Sequence, residues 1–396
     1  MAVVGAGFLG LTTALHAARR GMKVVVFDAG PLGGGASGVN GGQVIPGLKH
    51  DPSALIAMLG QERGEALAAF AAGTADAVFD LIRNERLSVP HNRTGWILAA
   101  HTEAAYRTVQ SRAEALRKTG AAVDILDRNA VQALTGARGY HGGLIDRRAG
   151  AIQPFAYLSE LVRLAASAGV VLRSRCRVTA VESDADGWSV TTSVGDLKAG
   201  KVLVATNADA DALIPGLART VLPLHSFQIA TAPLRPEVAH ALLPGGQAVS
   251  DTRRIVTYYR KSADCRLVLG GRGTLGVPRH AADWHHLERA ALRLFPHLEA
   301  LPITHRWFGR VAITLDYLPH IHEPAPGLVA VLGCQGRGIG LMTALGGRLA
   351  SYLDAGDADA LPLPITPIRP IPFHRFRHLG VTAALAWYRM LDGLQR

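Results

Sequence analysis

The feature that most restricts the fold is a glycine pattern at the start of the chain. An apolar segment, residues 2–4, is followed at once by glycines spaced as Gly-x-Gly-x-x-Gly, namely Gly5, Gly7 and Gly10. A helical pattern, residues 11–20, begins directly after the third glycine. A strand, a glycine turn and a helix in this order predict a Rossmann unit that binds a dinucleotide.

Each glycine of this pattern has a separate predicted task. Gly5 makes the tight turn, Gly7 lets the backbone approach a pyrophosphate, and Gly10 lets the helix lie close to the strand. The N–H groups and the dipole of the helix N-terminus then favour the phosphates. A second apolar strand, residues 23–27, ends at Asp28, which is placed to accept hydrogen bonds from ribose hydroxyls.

A second glycine-dense loop follows that strand, at residues 33–43. A chain that runs beneath a flat ring system needs residues without bulky side chains. The loop therefore favours FAD over NAD as the dinucleotide, while a plain surface loop remains the alternative. The predicted cofactor-binding residues of this loop are Ser37, Asn40, Gly41, Gly42 and Gln43.

Composition narrows the function classes further. Apolar residues make up 48% of the 396 residues, which is enough for a large core. The three cysteines are far apart, which indicates neither a disulfide framework nor a zinc site and fits a reducing, cytoplasmic location. The charge of +11 is scattered, so we expect no nucleic-acid binding. No signal peptide or membrane span is predicted, and the short first strand suggests that upstream residues are missing.

Several segments along the chain resemble one family of flavoproteins. The glycine motifs at 5–28 and 36–43 resemble those of the D-amino-acid oxidase family of FAD-dependent oxidoreductases, in particular its gamma-glutamylputrescine oxidoreductase branch. The resemblance continues through segments 142–146, 153–157, 251–254, 258–260, 270–273, 307–319 and 336–340.

The resemblance implies an α/β fold with two parts. One is a discontinuous, Rossmann-like FAD-binding domain, and the other is an α+β substrate domain with a mostly antiparallel sheet. The FAD-binding domain is expected at residues 1–50, 138–208 and 305–360. The substrate domain is expected at 51–137, a helical insert, and at 209–304. Residues 361–396 form a proline-rich tail and a short helix, 381–391, which is expected to lie on the body, with peripheral membrane contact as the alternative.

A third glycine loop is expected to bind the flavin ring. An apolar strand, residues 328–332, leads into it, and a helix is predicted over 339–352. In the family this loop faces the pyrimidine edge of the flavin, where backbone donors stabilise the negative charge of the reduced ring. The residues implied are Gly336, Arg337, Gly338 and Ile339, with a plain surface arginine as the alternative interpretation of Arg337.

The resemblance implies oxidation of a C–N bond, with hydride transfer to flavin N5 and hydrolysis of the imine. The predicted catalytic residues are Tyr258, Arg272 and His225, and Lys49 and His50 are further substrate-side candidates. Taken one at a time, each of them is interpreted more readily as a surface or hydrogen-bonded strand residue. No metal site is predicted, because the sixteen histidines form no helical ligand pair.

Two departures from the family pattern refine the expectation. Amino-acid oxidases of the family carry a carboxylate-clamping arginine where this chain has Val311, and the adjacent Arg310 is expected to face the other way. An α-amino acid is therefore disfavoured relative to an N-substituted amine such as a gamma-glutamylated polyamine. Residues 307–316 contain no cysteine, so noncovalent FAD is predicted.

Three other functions stay open on the sequence alone. They are a D-amino-acid dehydrogenase that passes electrons to a quinone, an NAD-dependent dehydrogenase, and a noncatalytic nucleotide-binding protein. The expected partners are a small amine or amino-acid substrate and, as acceptor, oxygen or a quinone or other electron carrier.

Overall fold

A computed structural model describes residues 1–210, 212–273, 276–296 and 302–394 of the chain. The strands in this part are β1 Ala2–Val4, β2 Val25–Phe27, β3 Gln43–Val44, β4 His91–Asn92, β5 Trp96–Ala100, β6 Val123–Asp127, β7 Gly142–Asp146, β8 Gly150–Ile152, β9 Val171–Arg173, β10 Val178–Asp184, β11 Gly187–Thr192, β12 Gly195–Ala199, β13 Val202–Val204, β14 Leu222–Thr231, β15 Ala248–Asp251, β16 Thr257–Lys261, β17 Leu267–Arg272, β18 Ile303–Ile313, β19 His320–Ala325 and β20 Leu328–Leu332. The helices are α1 Phe8–Arg19, α2 Ala36–Val39, α3 Pro52–Leu59, α4 Gln61–Ala72, α5 Thr74–Asn84, α6 Glu103–Lys118, α7 Arg128–Thr135, α8 Pro154–Ser167, α9 Pro236–Ala241, α10 His285–Leu294, α11 Gly338–Ala355 and α12 Arg377–Leu394.

A six-stranded sheet contains the first predicted strand at its centre. Its order is β19-β20-β13-β1-β2-β9, and all neighbours are parallel except the edge strand β19. Val3 contributes to the core beneath α1, α8 and α11, whereas Ala2 and Val4 contribute to the core beneath β10–β12. Burial on both faces explains the unbroken apolar runs in these strands.

An eight-stranded sheet forms the second layer, in the order β18-β14-β17-β16-β15-β5-β7-β6. Every neighbouring pair is antiparallel except β15 and β5. Apolar residues of one face form a core with α7 and α10, which includes Phe227, Tyr259 and Leu287. The α/β class and the mostly antiparallel second sheet that the sequence predicts are thus confirmed.

Sheet membership departs from the predicted domain ranges. β5 and β6 lie in the segment expected to be a helical insert, 51–137, and both join the eight-stranded sheet. β7 and β18 fall within the ranges predicted for the FAD-binding domain, yet they also belong to that sheet. All five residues of β7 are buried, because the strand lies between β5 and β6. A buried apolar strand does not reveal its partner from sequence alone.

Local boundaries differ in smaller ways. The loop at 33–43 contains the short helix α2. The C-terminal helix α12 is longer than the predicted 381–391. In the described residues, no helix is both long and apolar enough to cross a bilayer.

Candidate functional site

A large cavity, about 1000 Å³ in volume, lies between the six-stranded and eight-stranded sheets. The turns that follow β1, β2, β13 and β20 line one side, so the cavity meets the carboxyl ends of parallel strands, where α/β sheets bind ligands. β14, β16 and β17 line the other side. The cavity brings together every predicted cofactor and substrate residue except Gly10.

The first glycine turn has the close contacts that its pattern predicts. Gly5 has φ +105°, and a Cβ there would lie 3.0 Å from the Ala205 carbonyl oxygen. A Cβ on Gly10 would lie only 1.9 Å from the Gly5 carbonyl oxygen, so Gly10 joins helix to strand instead of lining the cavity. Gly7 faces Ser37, whose Oγ accepts a hydrogen bond from the Phe8 N–H at 3.0 Å.

Asp28 lies at the end of β2 and lines the cavity. Its Oδ2 accepts from the Ala6 N–H and its Oδ1 from the Gly30 N–H, both at 2.9 Å. These bonds fix the carboxylate against the glycine turn, and each oxygen still has capacity to accept from a ribose hydroxyl.

The second glycine loop owes its shape to its own polar side chains. Asn40 Nδ2 donates to the Ser37 carbonyl at 2.8 Å, and its Oδ1 accepts from the Gly42 N–H at 2.9 Å. Gln43 spans to the eight-stranded sheet, where Nε2 donates to the Val249 carbonyl at 2.9 Å. The amides of Asn40 and Gln43 therefore shape and anchor the loop, and both residues also line the cavity.

Gly41 and Gly42 are required because neighbouring strands lie very close to this loop. A Cβ on Gly41 would lie 2.7 Å from the Tyr258 ring, and one on Gly42 would lie 2.3 Å from the Ile152 carbonyl oxygen. The buried Arg260 donates from Nε to the Gly41 carbonyl at 2.7 Å, and burial lowers the pKa of its guanidinium to about 10.

Two further residues tie this loop to the eight-stranded sheet: Gln228, which sequence reasoning missed, and Trp307, which begins segment 307–319 of the family resemblance. Gln228 donates from Nε2 to the Val39 carbonyl at 2.8 Å, and Trp307 donates from Nε1 to the same oxygen at 2.9 Å. They are paired across β14 and β18. The sequence signal for Gln228 is a polar residue between the apolar Phe227 and Ile229, which a buried position tolerates only with a hydrogen-bond partner.

The third glycine loop joins β20 to α11. Gly336 has φ +73° and Gln335 has φ +54°, so the backbone turns sharply before the helix begins at Gly338. Gln335 donates from Nε2 to the Thr314 Oγ1 at 2.5 Å, and Asn207 accepts the Gly333 N–H at 3.0 Å. These side chains fix the loop against the rest of the cavity wall.

Arg337 is a buried residue and not the surface arginine that the sequence left possible. Its Nη1 donates to the Pro46 carbonyl at 2.6 Å, and its guanidinium lies 5.7 Å from the Trp96 ring centroid. Burial, and then the nearby Arg112, lower its pKa to about 9. The buried Nε has no hydrogen-bond partner among the described residues, which leaves a donor beside the cavity.

Four basic side chains line one region of the cavity, and we call them the cationic group: Lys49, Arg112, Arg272 and Arg337. Arg112 contacts Asp51, with Nε 3.2 Å from Oδ1, which offsets one of the four charges. The Lys49 side chain is exposed to the cavity, and protein surrounds it on its other sides. Desolvation, and then the charges of Arg337, Arg112 and Arg272, lower the pKa of Lys49 to about 7.

The three predicted catalytic residues lie together through the strand register. Arg272 is paired with Ser226 across β17 and β14, and Ser226 Oγ lies 2.7 Å from the Tyr258 hydroxyl. Burial raises the pKa of Tyr258 to about 12, so its hydroxyl is neutral at ordinary pH. The buried His225 ring lies edge-on to Phe308 at 5.3 Å, which places it in an aromatic contact at the cavity wall.

The structure also places Val311 and Arg310, at the position where amino-acid oxidases of the family carry a carboxylate-binding arginine, and the substrate-side candidate His50. Val311 faces the third glycine loop, 3.9 Å from where a Cβ on Gly336 would lie. Arg310 forms an ion pair with Asp209 and is half exposed. His50 contacts the Asp316 carbonyl through Nε2 at 2.6 Å and is therefore tied to the wall.

The residues of the cavity fit an FAD molecule. Three glycine loops provide backbone without side chains, and three buried polar atoms at the wall have no partner among the described residues: Thr206 Oγ1, Gln228 Oε1 and Arg337 Nε. Buried polar groups normally have partners, so these atoms mark places where a polar ligand is expected. Within the same part of the chain, no group of three or more histidine, cysteine or acidic side chains is arranged to hold a metal ion.

Comparisons with known proteins agree with this geometry. The model of the family described as "FAD dependent oxidoreductase" matches residues 1–352. The probable oxidoreductase OrdL of Rhizobium meliloti is 31% identical, with 99% of this chain and 92% of that protein covered. The gamma-glutamylputrescine oxidoreductase of Escherichia coli is 30% identical, with the same coverage.

A solved structure shows the same fold. The crystal structure of glycine oxidase from Geobacillus kaustophilus superposes with a TM-score of 0.77 at 23% identity, covering 92% of this chain and 97% of that chain. The family match decides between the dinucleotides in favour of FAD, and it excludes the NAD-dependent and noncatalytic alternatives. This chain therefore belongs to the D-amino-acid oxidase family of FAD-dependent oxidoreductases, whose members act on amines or amino acids.

Proposed function

We propose that this enzyme oxidises the C–N bond of an amine that also carries a carboxylate, as gamma-glutamylputrescine does. The observation that carries the proposal is the cationic group, which lines the same cavity as the three glycine loops. Only one of its four charges has a carboxylate partner among the described residues, namely Arg112 with Asp51. Cations gathered in a cavity with so little counter-charge favour an anionic ligand.

The residues that would hold FAD are those of the glycine loops. The α1 N-terminus and Gly7 suit the pyrophosphate, Asp28 suits the ribose, and the loop ending at Gly338 suits the flavin ring. When bound, FAD supplies a hydride acceptor for the carbon next to the substrate nitrogen. Arg337 places a positive charge near the third loop, which would favour a reduced, negatively charged ring.

We propose that the cofactor is noncovalent. Two cysteines line the cavity, Cys176 and Cys334, and the thiol of Cys334 already accepts a hydrogen bond from Asn207 Nδ2 at 3.3 Å. Precipitation with acid is the test, because noncovalent flavin stays in the supernatant while a thioether-linked flavin sediments with the protein.

On the substrate side, the chain offers groups that orient an amine and hold an anion. The Tyr258 hydroxyl stays neutral and hydrogen-bonded to Ser226, so it suits a contact with the substrate nitrogen rather than proton abstraction. Arg272 and Lys49 remain for the carboxylate, which Arg272 has the geometry to bind in a bidentate manner. His225 is the least favoured of the three predicted catalytic residues because of its aromatic contact.

The acceptor and the location complete the proposal. The electron acceptor would be oxygen or a quinone or other carrier, and comparison of oxygen uptake with dye reduction distinguishes the two. The free thiols Cys176, Cys265 and Cys334 fit the cytoplasmic location that we propose.

The experiment that tests the function is anaerobic reduction of the flavin by a matched set of substrates. We expect gamma-glutamylputrescine to bleach the flavin absorbance with a higher kcat/KM than 4-aminobutanoylputrescine, which lacks only the carboxylate. Equal rates for the two would refute the anionic-substrate proposal. Faster reduction by D-amino acids than by either amine would favour the D-amino-acid dehydrogenase alternative.

A further inference from the structure

The C-terminal helix α12 has two opposite faces, one exposed to solvent and one turned toward the protein. Leu379, Trp387 and Met390 are exposed, at 72%, 55% and 47%, and Ala383 lies between them in sequence and is also exposed. Their spacing of four, four and three residues puts them on one side of the helix. We call these four residues the outer stripe, and it is apolar throughout.

The other side of α12 faces the protein. Leu385 is buried, and Val381 and Tyr388 are half-buried, at the spacing expected for a single inward face. The helix therefore faces the protein through Val381, Leu385 and Tyr388, and a second apolar side is turned outward. Amphipathic helices on protein surfaces carry polar residues on the outward side, so the outer stripe calls for a covering partner.

Both ends of the C-terminal segment are fixed to the body. Before the helix, the buried His374 bonds through Nε2 to the Val221 carbonyl at 2.9 Å. Near its end, Asp392 accepts from the Ile255 N–H at 3.1 Å and from the Arg254 N–H at 3.3 Å. The outer stripe is thus presented in one orientation.

The chain just before the helix adds aromatic and basic side chains. Phe373 and Phe376 are exposed at 79% and 48%, and the guanidinium of Arg375 lies 4.7 Å from the Phe376 ring centroid. Arg369 and Arg377 lie on either side of this pair in sequence. Residues 361–391 contain no aspartate or glutamate, and none of these three arginines has an ion-pair partner in the described part of the chain.

We propose that α12 and the segment before it dock on an anionic lipid bilayer, with the outer stripe and the two phenylalanines in the interface. Helices of this kind lie parallel to the membrane, with apolar and aromatic residues in the acyl boundary and arginines at the headgroups. Clustered arginines without acidic neighbours are attracted to anionic lipid. The proposal does not depend on the identity of the substrate.

The charge pattern favours lipid over a second copy of the chain. If two outer stripes packed together around a two-fold axis, Arg369, Arg375 and Arg377 of both copies would gather near one interface without counter-charges. Such a like-charge arrangement opposes association. An anionic bilayer covers the stripe and neutralises these arginines at the same time.

Docking on this side also has a geometric consequence for the cavity. Asp392 is hydrogen-bonded to the turn at 254–255, and Val256, the next residue, lines the cavity and is partly exposed. The end of α12 is therefore beside an edge of the cavity, and the docked enzyme would hold that edge close to the bilayer surface.

The test is vesicle flotation with the purified holoenzyme. We expect it to float with phosphatidylcholine vesicles that contain a quarter phosphatidylglycerol, to float less at high salt, and not to float with phosphatidylcholine alone. The double variant Leu379→Glu/Trp387→Glu should lose about tenfold or more in lipid affinity. The matched control Val194→Glu/Leu292→Glu adds the same charge at exposed apolar positions elsewhere and should float like the wild type.

Further measurements keep the result decisive. If the double variant loses its flavin or its thermal transition, Arg369→Ser/Arg375→Ser replaces it, and its salt-dependent binding should be weaker. Failure of the wild type to float at low salt overturns the proposal, as does equal flotation of wild type and variants. A dimer in sedimentation velocity that the double variant dissociates, without lipid binding, would assign the stripe to a second copy instead.

Discussion

Replacing Lys49 by methionine removes the one member of the cationic group that titrates near neutrality. The pKa of Lys49 is lowered to about 7 by desolvation and by Arg337, Arg112 and Arg272. Below that pH the ammonium is charged and attracts a substrate carboxylate, and above it the attraction is lost. Arg337, with a pKa of about 9, keeps its charge if the assay stops near pH 8.5.

The size of the effect follows from Coulomb's law. A carboxylate about 4 Å from the ammonium gains roughly 4 kcal/mol at an effective dielectric constant of about 20. Lys49 is exposed to the cavity, and water there screens the charge. We therefore expect about 1–2 kcal/mol, or roughly 5- to 30-fold in kcat/KM, for a carboxylate-bearing substrate.

The assay is stopped-flow reduction of the flavin without oxygen, from pH 6 to 8.5. The measured quantity is the ratio of kcat/KM for gamma-glutamylputrescine to that for 4-aminobutanoylputrescine. Both substrates end in the same amine, so its deprotonation cancels in the ratio. In the wild type the ratio should fall as pH rises through about 7, because kcat/KM reports the pKa of the free enzyme.

Two variants make the outcome specific to this charge. Lys49→Met should give a low ratio that does not change with pH. Lys49→Arg keeps a charge that does not titrate in this range, so its ratio should be high and flat. A wild-type ratio independent of pH, or one that Lys49→Met leaves unchanged, would show that Lys49 does not contact the anion.

Three other predictions concern the first glycine turn and two residues of the cavity wall. Gly10→Ala should lower the free energy of unfolding by about 3 kcal/mol in urea titration, because its Cβ would lie 1.9 Å from the Gly5 carbonyl oxygen. Gly380→Ala is the control. A Cβ there meets nothing within 4 Å, so this variant should not destabilise the protein. Arg337→Met should lower the flavin reduction potential by about 30 mV, equivalent to tenfold in a two-electron couple, whereas the same change at the half-exposed Arg310 should not; an unchanged potential would remove Arg337 from the flavin environment. Tyr258→Phe should leave flavin content unchanged and reduce kcat/KM about tenfold through loss of one hydrogen bond, and a normal rate would mean that the hydroxyl only stabilises Ser226.

The nucleotide-binding half of the fold could be predicted because its signals are local. Gly5, Gly7 and Gly10 are each required by a close contact, and their spacing alone predicts the strand–turn–helix unit. The same holds for the turn at Gly336, where a positive φ requires a residue that tolerates it.

The contacts between the two sheets could not be predicted in this way. Arg260 donates to Gly41, which is 219 positions away in sequence, and Gln228 donates to Val39 across 189 positions. Neither Arg260 nor Gln228 belongs to a sequence motif from which its hydrogen-bond partner can be predicted. The placement of β7 in the eight-stranded sheet has the same cause, since its pairing depends on β5 and β6, two strands that lie earlier in the chain.

The anchored loop at Gly41–Gln43 limits how this enzyme can be re-engineered. Gln43 is hydrogen-bonded to the carbonyls of Val249 and Tyr259, and Arg260 is hydrogen-bonded to Gly41. The second glycine loop and the eight-stranded sheet are therefore held together by these bonds. A chimera that joins the eight-stranded sheet of a relative to this nucleotide-binding half would need matching partners for these bonds. Without such partners, any change in substrate specificity would be accompanied by a displaced cofactor.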